Sequence, residues 1–262
     1  MLIKSENKYI PMLVDLWHKV FGDSEEYIRI FFEKTYFDSE CFAEIINGNI
    51  VSAFYLMKCE INLDGKTYSG RYLYAAATLP DYRGGGIMSK LIRESLVYAE
   101  KEKLDFIALV PADDGLYDYY SRFGFYEAMY KYKLSNASTK SLKHDFPIID
   151  NAEDFGKMRN TASCDMLVYN KIGSEYAFEC LRFAGTNIYR LSDDAYYIDG
   201  EELFCSCDYV YPAETLSYDP DEGECLYTNY AFDGAEKVRN GMIYNFRKDV
   251  ELKDIYMNIA LD

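Results

Sequence analysis

Hydrophobic residues in the first third of the chain recur with two different periods. Spacings of three and four residues predict a helix from Ile10 to Phe21 and a second helix that begins at Ser24. Strand-like runs follow at residues 41–46, 50–63 and 66–79, and the Asn-Gly and Asp-Gly pairs between them predict hairpin turns. The chain therefore opens with two helices and a meander of strands.

A run of three glycines, residues 84–86, separates this meander from a different pattern. An amphipathic helix is predicted from there to about Lys103, then a buried strand over residues 106–110. A short helix over 115–122 and a strand over 125–134 complete the first half. Mixed helices and strands of this kind indicate an α/β fold with a mostly antiparallel sheet and flanking helices.

The second half repeats this order of elements in a weaker form. A polar segment, residues 136–150, predicts a linker between domains at 1–135 and 151–262. Apolar residues at helical spacing, Phe155 to Met166 and Ala177 to Ala184, predict two helices. Alternating segments follow at residues 203–211, 226–232, 242–246 and 255–261. We interpret residues 151–262 as a degenerate second copy of the first domain, an α+β unit without the glycine loop.

Composition and charge narrow the function. The 262 residues are 49% hydrophobic, which suffices for real cores, and 44 acids against 28 bases give a net charge of −16. This sign argues against a nucleic-acid partner, and no apolar run or leader-like start predicts a membrane or secreted protein, so we expect a cytoplasmic location. The seven scattered cysteines form no Cys-x-x-Cys pair and predict neither a metal site nor disulfides. Most of the acidic excess follows residue 135, which is consistent with a role in solubility and also with a site for a cationic substrate.

The glycine loop is the strongest chemical signal. An apolar strand ends at Pro80, Arg83 follows, and Gly84–Gly86 open a helix whose first amides are free to bind a phosphate or pyrophosphate. A nucleotide P-loop would close with Gly-Lys-Ser/Thr, whereas Ile87 and Met88 stand here. The glycine fingerprint of dinucleotide-binding proteins is only half matched. Coenzyme A is the third option, because it needs a strand edge beside the cradle, as residues 76–79 would provide.

Here the sequence resembles the GCN5-related N-acetyltransferase (GNAT) superfamily. The acetyl-CoA signature of that family, Arg/Gln-x-x-Gly-x-Gly/Ala after Pro-x-Tyr, is matched at Arg83 and Gly86, with Met88 in the last place. Such a bulky residue, and the two-part layout, resemble the bacterial enhanced-intracellular-survival acetyltransferases. The resemblance implies acetyl-CoA as co-substrate, with no metal. The residues that it places on acetyl-CoA are Ala76, Ala77, Thr78, Arg83, Gly84, Gly85, Gly86, Ile87 and Met88.

A second landmark of the family lies at residues 119–125. The resemblance implies that Tyr120 protonates the departing thiolate, a role suited to a phenol with a pKa near 10. Asp113, just before this helix, is expected to cap it. For the base, Glu60 and Asp105 qualify by residue type alone. The survival-type relatives use a terminal carboxylate, which makes Asp262 the candidate here.

These observations predict an acyltransferase that moves an acetyl group to a small-molecule or peptide amine. Two alternatives stay open. One is a non-catalytic acyl-CoA sensor or interaction protein; the other is an aminoacyl-tRNA-dependent transferase with paired GNAT-like domains. The sequence names neither the amine nor the oligomeric state.

Overall fold

A computed structural model of the chain describes residues 1–3, 5–138, 146–160, 165–193, 195–199, 202–205, 217–218, 224–229, 231 and 234–257. Within these residues there are six α-helices and sixteen β-strands. The helices are α1 (Ile10–Phe21), α2 (Glu25–Lys34), α3 (Ile87–Lys101), α4 (Asp114–Ser121), α5 (Ala152–Asn160) and α6 (Lys171–Phe183). The strands are β1 (Leu2–Ile3), β2 (Glu40–Ile46), β3 (Asn49–Leu63), β4 (Lys66–Thr78), β5 (Phe106–Leu109), β6 (Tyr126–Glu127), β7 (Met129–Ser138), β8 (Met166–Tyr169), β9 (Ile188–Arg190), β10 (Ala195–Ile198), β11 (Glu202–Cys205), β12 (Ser217–Tyr218), β13 (Glu224–Thr228), β14 (Glu236–Arg239), β15 (Met242–Asn245) and β16 (Ile255–Tyr256).

The strands pair into one mixed and mostly antiparallel sheet. Its main path runs β6-β15-β5-β4-β3-β8-β16-β7-β13-β11-β10-β9, and β1, β2, β12 and β14 pair beside it. The predicted hairpins β2–β3 and β3–β4 are confirmed as antiparallel pairs, whereas β4 and β5 are parallel. Strands from both halves are interleaved, since β8 pairs with β3 and β15 lies between β5 and β6.

Helices cover both faces of the first-half sheet. Successive residues of a strand point to opposite faces. On β3, Tyr55 and Met57 accordingly lie in the core beneath α1 and α2, while Phe54 and Leu56 lie in the core beneath α3 and α4. Both sets of side chains are almost fully buried, so the sheet is the central layer of three.

The second half contains a buried ion pair. Arg159 on α5 donates to Glu202 on β11 at 3.2 Å, and both side chains are nearly inaccessible to solvent. The hydroxyls of Tyr196 and Tyr256 donate to the same carboxylate. The network connects α5, β10, β11 and β16 and satisfies both carboxylate oxygens, as a buried charge requires.

Several local predictions are confirmed. Ser24 caps α2, its hydroxyl accepting from the amide of Tyr27 at 3.2 Å. Pro80 follows the end of β4, and Asp113 caps α4 by accepting from the amide of Leu116 at 3.0 Å.

Two element predictions are wrong. The helix predicted as far as Met166 ends at Asn160, and Met166 begins β8, which pairs with β3 in register Asn62↔Met166. Strand pairing overrides the helical spacing there, because the spacing of apolar residues shows which of them are buried and not whether a helix or a strand buries them. The single strand predicted over 125–134 is two strands, β6 and β7, which pair with different neighbours. The division of the chain at residues 136–150 stays a prediction.

Candidate active site

A cavity opens where β4 and β5 separate. The two strands pair only from Gly70↔Phe106 to Tyr72↔Ala108, and β4 then continues to Thr78 while β5 ends at Leu109. The cavity has a volume of about 350 Å³. Its walls are residues 72–76 of β4, residues 109–112, Trp17 and Phe21 of α1, Asp23, and Leu116 and Tyr120 of α4.

A bulge in β4 shapes one wall of this cavity. The register with β3 passes from Tyr55↔Tyr74 to Ala53↔Ala77, so β4 carries one extra residue, and Ala75 has a positive φ of 51°. After the bulge, the carbonyl of Ala77 accepts from the Ser52 hydroxyl and the amide of Leu79 donates to Val51, both on the β3 side. Because backbone direction alternates along a strand, Ala76 turns its amide and carbonyl, and Thr78 its amide, to the opposite side, while the carbonyl of Thr78 accepts from Nε of Arg83.

The glycine loop contains two residues in the left-handed backbone conformation. Gly84 and Gly86 have φ of 78° and 76°, and a Cβ at either would meet nothing within 4 Å. Glycine is therefore needed there for the backbone conformation and not for space. Gly86 is the N-cap of α3 and supplies no capping side chain. The amides of the first helical residues have no intrahelical acceptor and lie at the positive end of the helix dipole.

The other residues predicted for the loop divide between surface and core. Arg83 is exposed, and its Nε donates to the carbonyl of Thr78 at 3.0 Å, which ties the loop to the end of β4. Gly85 is exposed and does not share the positive φ of its neighbours. Ile87 and Met88 pack against the core beneath α3 and α4, so they offer backbone amides and not side chains.

Tyr120 is buried on α4 at the cavity wall, with 7% of its surface exposed. Burial raises the pKa of its hydroxyl above the ordinary value, and the neighbouring Tyr119 adds to the shift. Its hydroxyl makes no hydrogen bond to the described residues. Tyr119 instead bonds the Ser89 hydroxyl at 3.1 Å, which joins α4 to the first turn of α3. A buried and unpartnered phenol that remains protonated is suited to donate a proton within the cavity.

Comparisons with known proteins identify the family of the first half and the fold. Residues 2–128 match the family model for an acetyltransferase (GNAT) domain. These residues, about half of the chain, therefore form a domain of the GNAT type. The enzyme class that this match indicates is acyltransferase, and the predicted first-half fold is confirmed. A search of curated proteins finds no match to the sequence.

Solved structures with the same fold are distant in sequence. A conserved Enterococcus faecalis protein of unknown function, described as a probable N-acyltransferase, is similar over 94% of this chain and 72% of its own, at 15% identity and a TM-score of 0.66. Eis1 from Mycobacterium abscessus is similar over 93% and 72%, at 9% identity and a TM-score of 0.63. A GCN5-related N-acetyltransferase from Kribbella flavida is similar over 94% of this chain and 71% of its own, at 16% identity and a TM-score of 0.61.

The candidate bases of the GNAT domain lie in different surroundings. Asp105 bonds the amide of Ser69 at 2.9 Å and pairs with Arg247 at 3.0 Å, which gives it a structural role. Neither it nor Glu60 lines the cavity. Asp262 lies outside the described residues, so its assignment as base stays a prediction.

The charged side chain of the cavity was not predicted from the sequence. Asp23, between α1 and α2, is the only charged side chain among the described residues that line it. Nothing in the local sequence distinguishes Asp23 from the other acidic residues, although the indole of Trp17, six residues earlier, could have suggested a hydrogen-bond donor for it. Among the described residues, no cluster of His, Cys, Asp and Glu is arranged to hold a metal ion. None of their helices has the length and apolarity to cross a membrane.

Proposed function

We propose that the chain transfers the acetyl group of acetyl-CoA to a primary amine. The observation that carries this proposal is the arrangement of three features around one opening in the sheet. These are the free amides at the start of α3, the outward backbone of β4 after its bulge, and the unpartnered hydroxyl of Tyr120.

The loop suits the pyrophosphate of CoA. The amides of Ile87, Met88 and Ser89 would donate to its oxygens, because they have no acceptor within the helix. The positive φ of Gly84 and Gly86 turns the loop around this point, and the open space around both glycines leaves room for a bulky anion. Arg83 would add a positive charge at the rim while its Nε holds the loop against Thr78.

The end of β4 suits the pantetheine arm. That arm carries two amide groups, which can pair with a strand edge as another strand would. Along residues 76–78, Ala76 and the amide of Thr78 present the backbone groups, and Ala77 holds the strand to β3. This alignment directs the thioester into the cavity between β4 and β5, toward Tyr120.

Within the cavity the chemistry is a direct transfer. The acceptor ammonium first loses a proton, and the neutral nitrogen then attacks the thioester carbonyl carbon. The C–N bond forms, the C–S bond breaks, and the nitrogen loses its second proton. Tyr120 donates its proton to the departing sulfur, since a thiolate is a better leaving group when it is protonated as it forms. One of the two protons lost by the nitrogen restores the Tyr120 hydroxyl, so the products are the acetamide, CoA thiol and one released proton.

The test combines binding with turnover. Acetyl-CoA should stabilise the protein against thermal unfolding, because a ligand that binds only the folded state raises Tm. An amine panel should then release CoA thiol, detected with a thiol reagent, in the presence of at least one primary amine. Stabilisation without turnover on any amine would instead favour an acyl-CoA sensor. Absence of both effects would contradict the proposal.

A further inference from the structure

We propose that Asp23 recognises the acceptor by binding its cationic ammonium group. This inference rests on the proposed acetyl transfer and specifies its substrate class: small amines that enter the cavity in their charged form. The carboxylate and the aromatic rings around it together form the binding site.

Asp23 is held in place by one hydrogen bond to its carboxylate and one to its backbone. Its Oδ2 accepts from the indole Nε1 of Trp17 at 2.8 Å, and its backbone carbonyl accepts from Nδ1 of His18 at 2.7 Å. The chain reaches this position through Gly22, which ends α1 with a φ of 81°. Its Oδ1 makes no hydrogen bond to the described residues. One oxygen is thus used to orient the group, and the other is available to a ligand.

The walls of the cavity favour a cation beside that oxygen. Trp17, Tyr72 and Tyr74 present aromatic rings, and a cation over such a ring is attracted by its quadrupole. An ammonium that left water for this apolar surface without a counter-charge would be strongly disfavoured. Asp23 supplies that counter-charge, and no described lining residue carries a positive charge that would compete for it.

The volume of the cavity limits the size of the acceptor. A volume of about 350 Å³ is at the lower end of the range for small-molecule pockets. The thioester end of the donor must also enter it. An alkyl or arylalkyl amine fits this space, with its apolar part against Leu109 and Leu116 and its ammonium at Asp23.

Trp17 allows the binding step to be measured without turnover. It is the only tryptophan of the chain and lines the cavity, so fluorescence excited selectively at tryptophan, and not at the 27 tyrosines, reports on this site. The probes are hexylamine, which is a cation at pH 7.5, and 1-hexanol, its neutral analogue of the same length. We expect a saturable change in emission with hexylamine and binding of 1-hexanol that is weaker by about tenfold or more, the range for a hydrogen bond to a charged group.

The variant Asp23→Asn keeps an oxygen that can accept from Trp17 and removes the negative charge. It should weaken the binding of hexylamine by about 10- to 100-fold and leave the binding of 1-hexanol unchanged. The matched control is Asp15→Asn, on α1, whose carboxylate is exposed and pairs with Lys19 outside the cavity. The control variant should bind both probes with unchanged affinity.

Turnover supplies an independent readout. With the best amine of the panel, Asp23→Asn should raise the KM for the amine by at least tenfold and leave the KM for acetyl-CoA unchanged. Three results would each overturn the inference. These are equal binding of hexylamine and 1-hexanol, no saturable response to either up to millimolar concentrations (a Kd of about 1 mM corresponds to about −4 kcal/mol), and an unaltered hexylamine affinity in Asp23→Asn. A chain that binds hexylamine at Asp23 but releases no thiol with any amine would instead contradict the proposed function.

Discussion

Replacing Gly86 should weaken acetyl-CoA binding through backbone conformation alone. Gly86 has a φ of 76°, in the left-handed region, and an added Cβ would meet no other atom within 4 Å. The substitution therefore introduces strain without a clash. A non-glycine residue in this region is destabilised by about 1–2 kcal/mol, and a β-branched one by more.

That strain can be released if the loop leaves the left-handed conformation, which turns the first amides of α3 away from the ligand. Binding must then restore the conformation against about 1–2 kcal/mol, which corresponds to about a 5- to 30-fold weaker affinity. We expect this loss for Gly86→Ala and a larger one for Gly86→Val. The fold should persist, because neither side chain enters a core.

The assay is calorimetric titration with acetyl-CoA, beside a thermal melt of each variant. Gly65→Ala is the matched control, since Gly65 has a φ of 70°, has nothing within 4 Å of its Cβ position, and lies in the β3–β4 hairpin away from the loop. It should lower Tm by a few degrees, as Gly86→Ala does, without changing affinity. The assignment of the cradle is refuted if Gly86→Ala and Gly65→Ala bind acetyl-CoA equally well.

Two further predictions concern Tyr120 and the buried ion pair. Tyr120→Phe should lower kcat by about 10²–10⁴ with little change in acetyl-CoA affinity. A Phe variant with normal turnover would show that Tyr120 is a packing residue. Because burial raises the pKa of Tyr120, its hydroxyl keeps its proton through pH 9.5, and its ionisation should not lower wild-type kcat between pH 8 and 9.5. Glu202→Gln should destabilise the protein by about 3–5 kcal/mol in urea unfolding, since it leaves Arg159 charged and buried without its counter-ion. The double variant Arg159→Met/Glu202→Gln should recover part of this loss, and a double variant less stable than the single would contradict the argument.

The first half of the fold could be predicted because its signals are local. Ser24 and Asp113 are caps whose chemistry acts within four residues, and the Asn-Gly and Asp-Gly turns connect neighbouring strands. The second half depends on pairing between distant segments. Met166 follows the helical spacing of Phe155 and yet lies in β8, because the edge of β3 is available to it. No local pattern encodes such a partner.

The same difference separates the predicted parts of the site from those that were missed. Gly84 and Gly86 could be identified because a glycine run before a helix has a defined conformational use. Asp23 could not, since its role comes from the position of α1 across the opening of β4 and β5. The bulge at Ala75 was equally hidden, because alanine is not a residue that predicts a positive φ.

The second half of the chain contributes directly to the architecture around the cavity. β15 inserts between β5 and β6 with Met242 opposite Leu109, and the buried side chain of Met242 packs in the same core as Tyr120. This insertion requires Gly241, where an added Cβ would lie 2.8 Å from the carbonyl oxygen of Leu109. Arg239, just before it, pairs with Asp114 in the first turn of α4 at 2.7 Å. The family match ends at residue 128, but a strand that supports two walls of the cavity comes from residues 242–245, so the geometry of the cavity depends on both halves together.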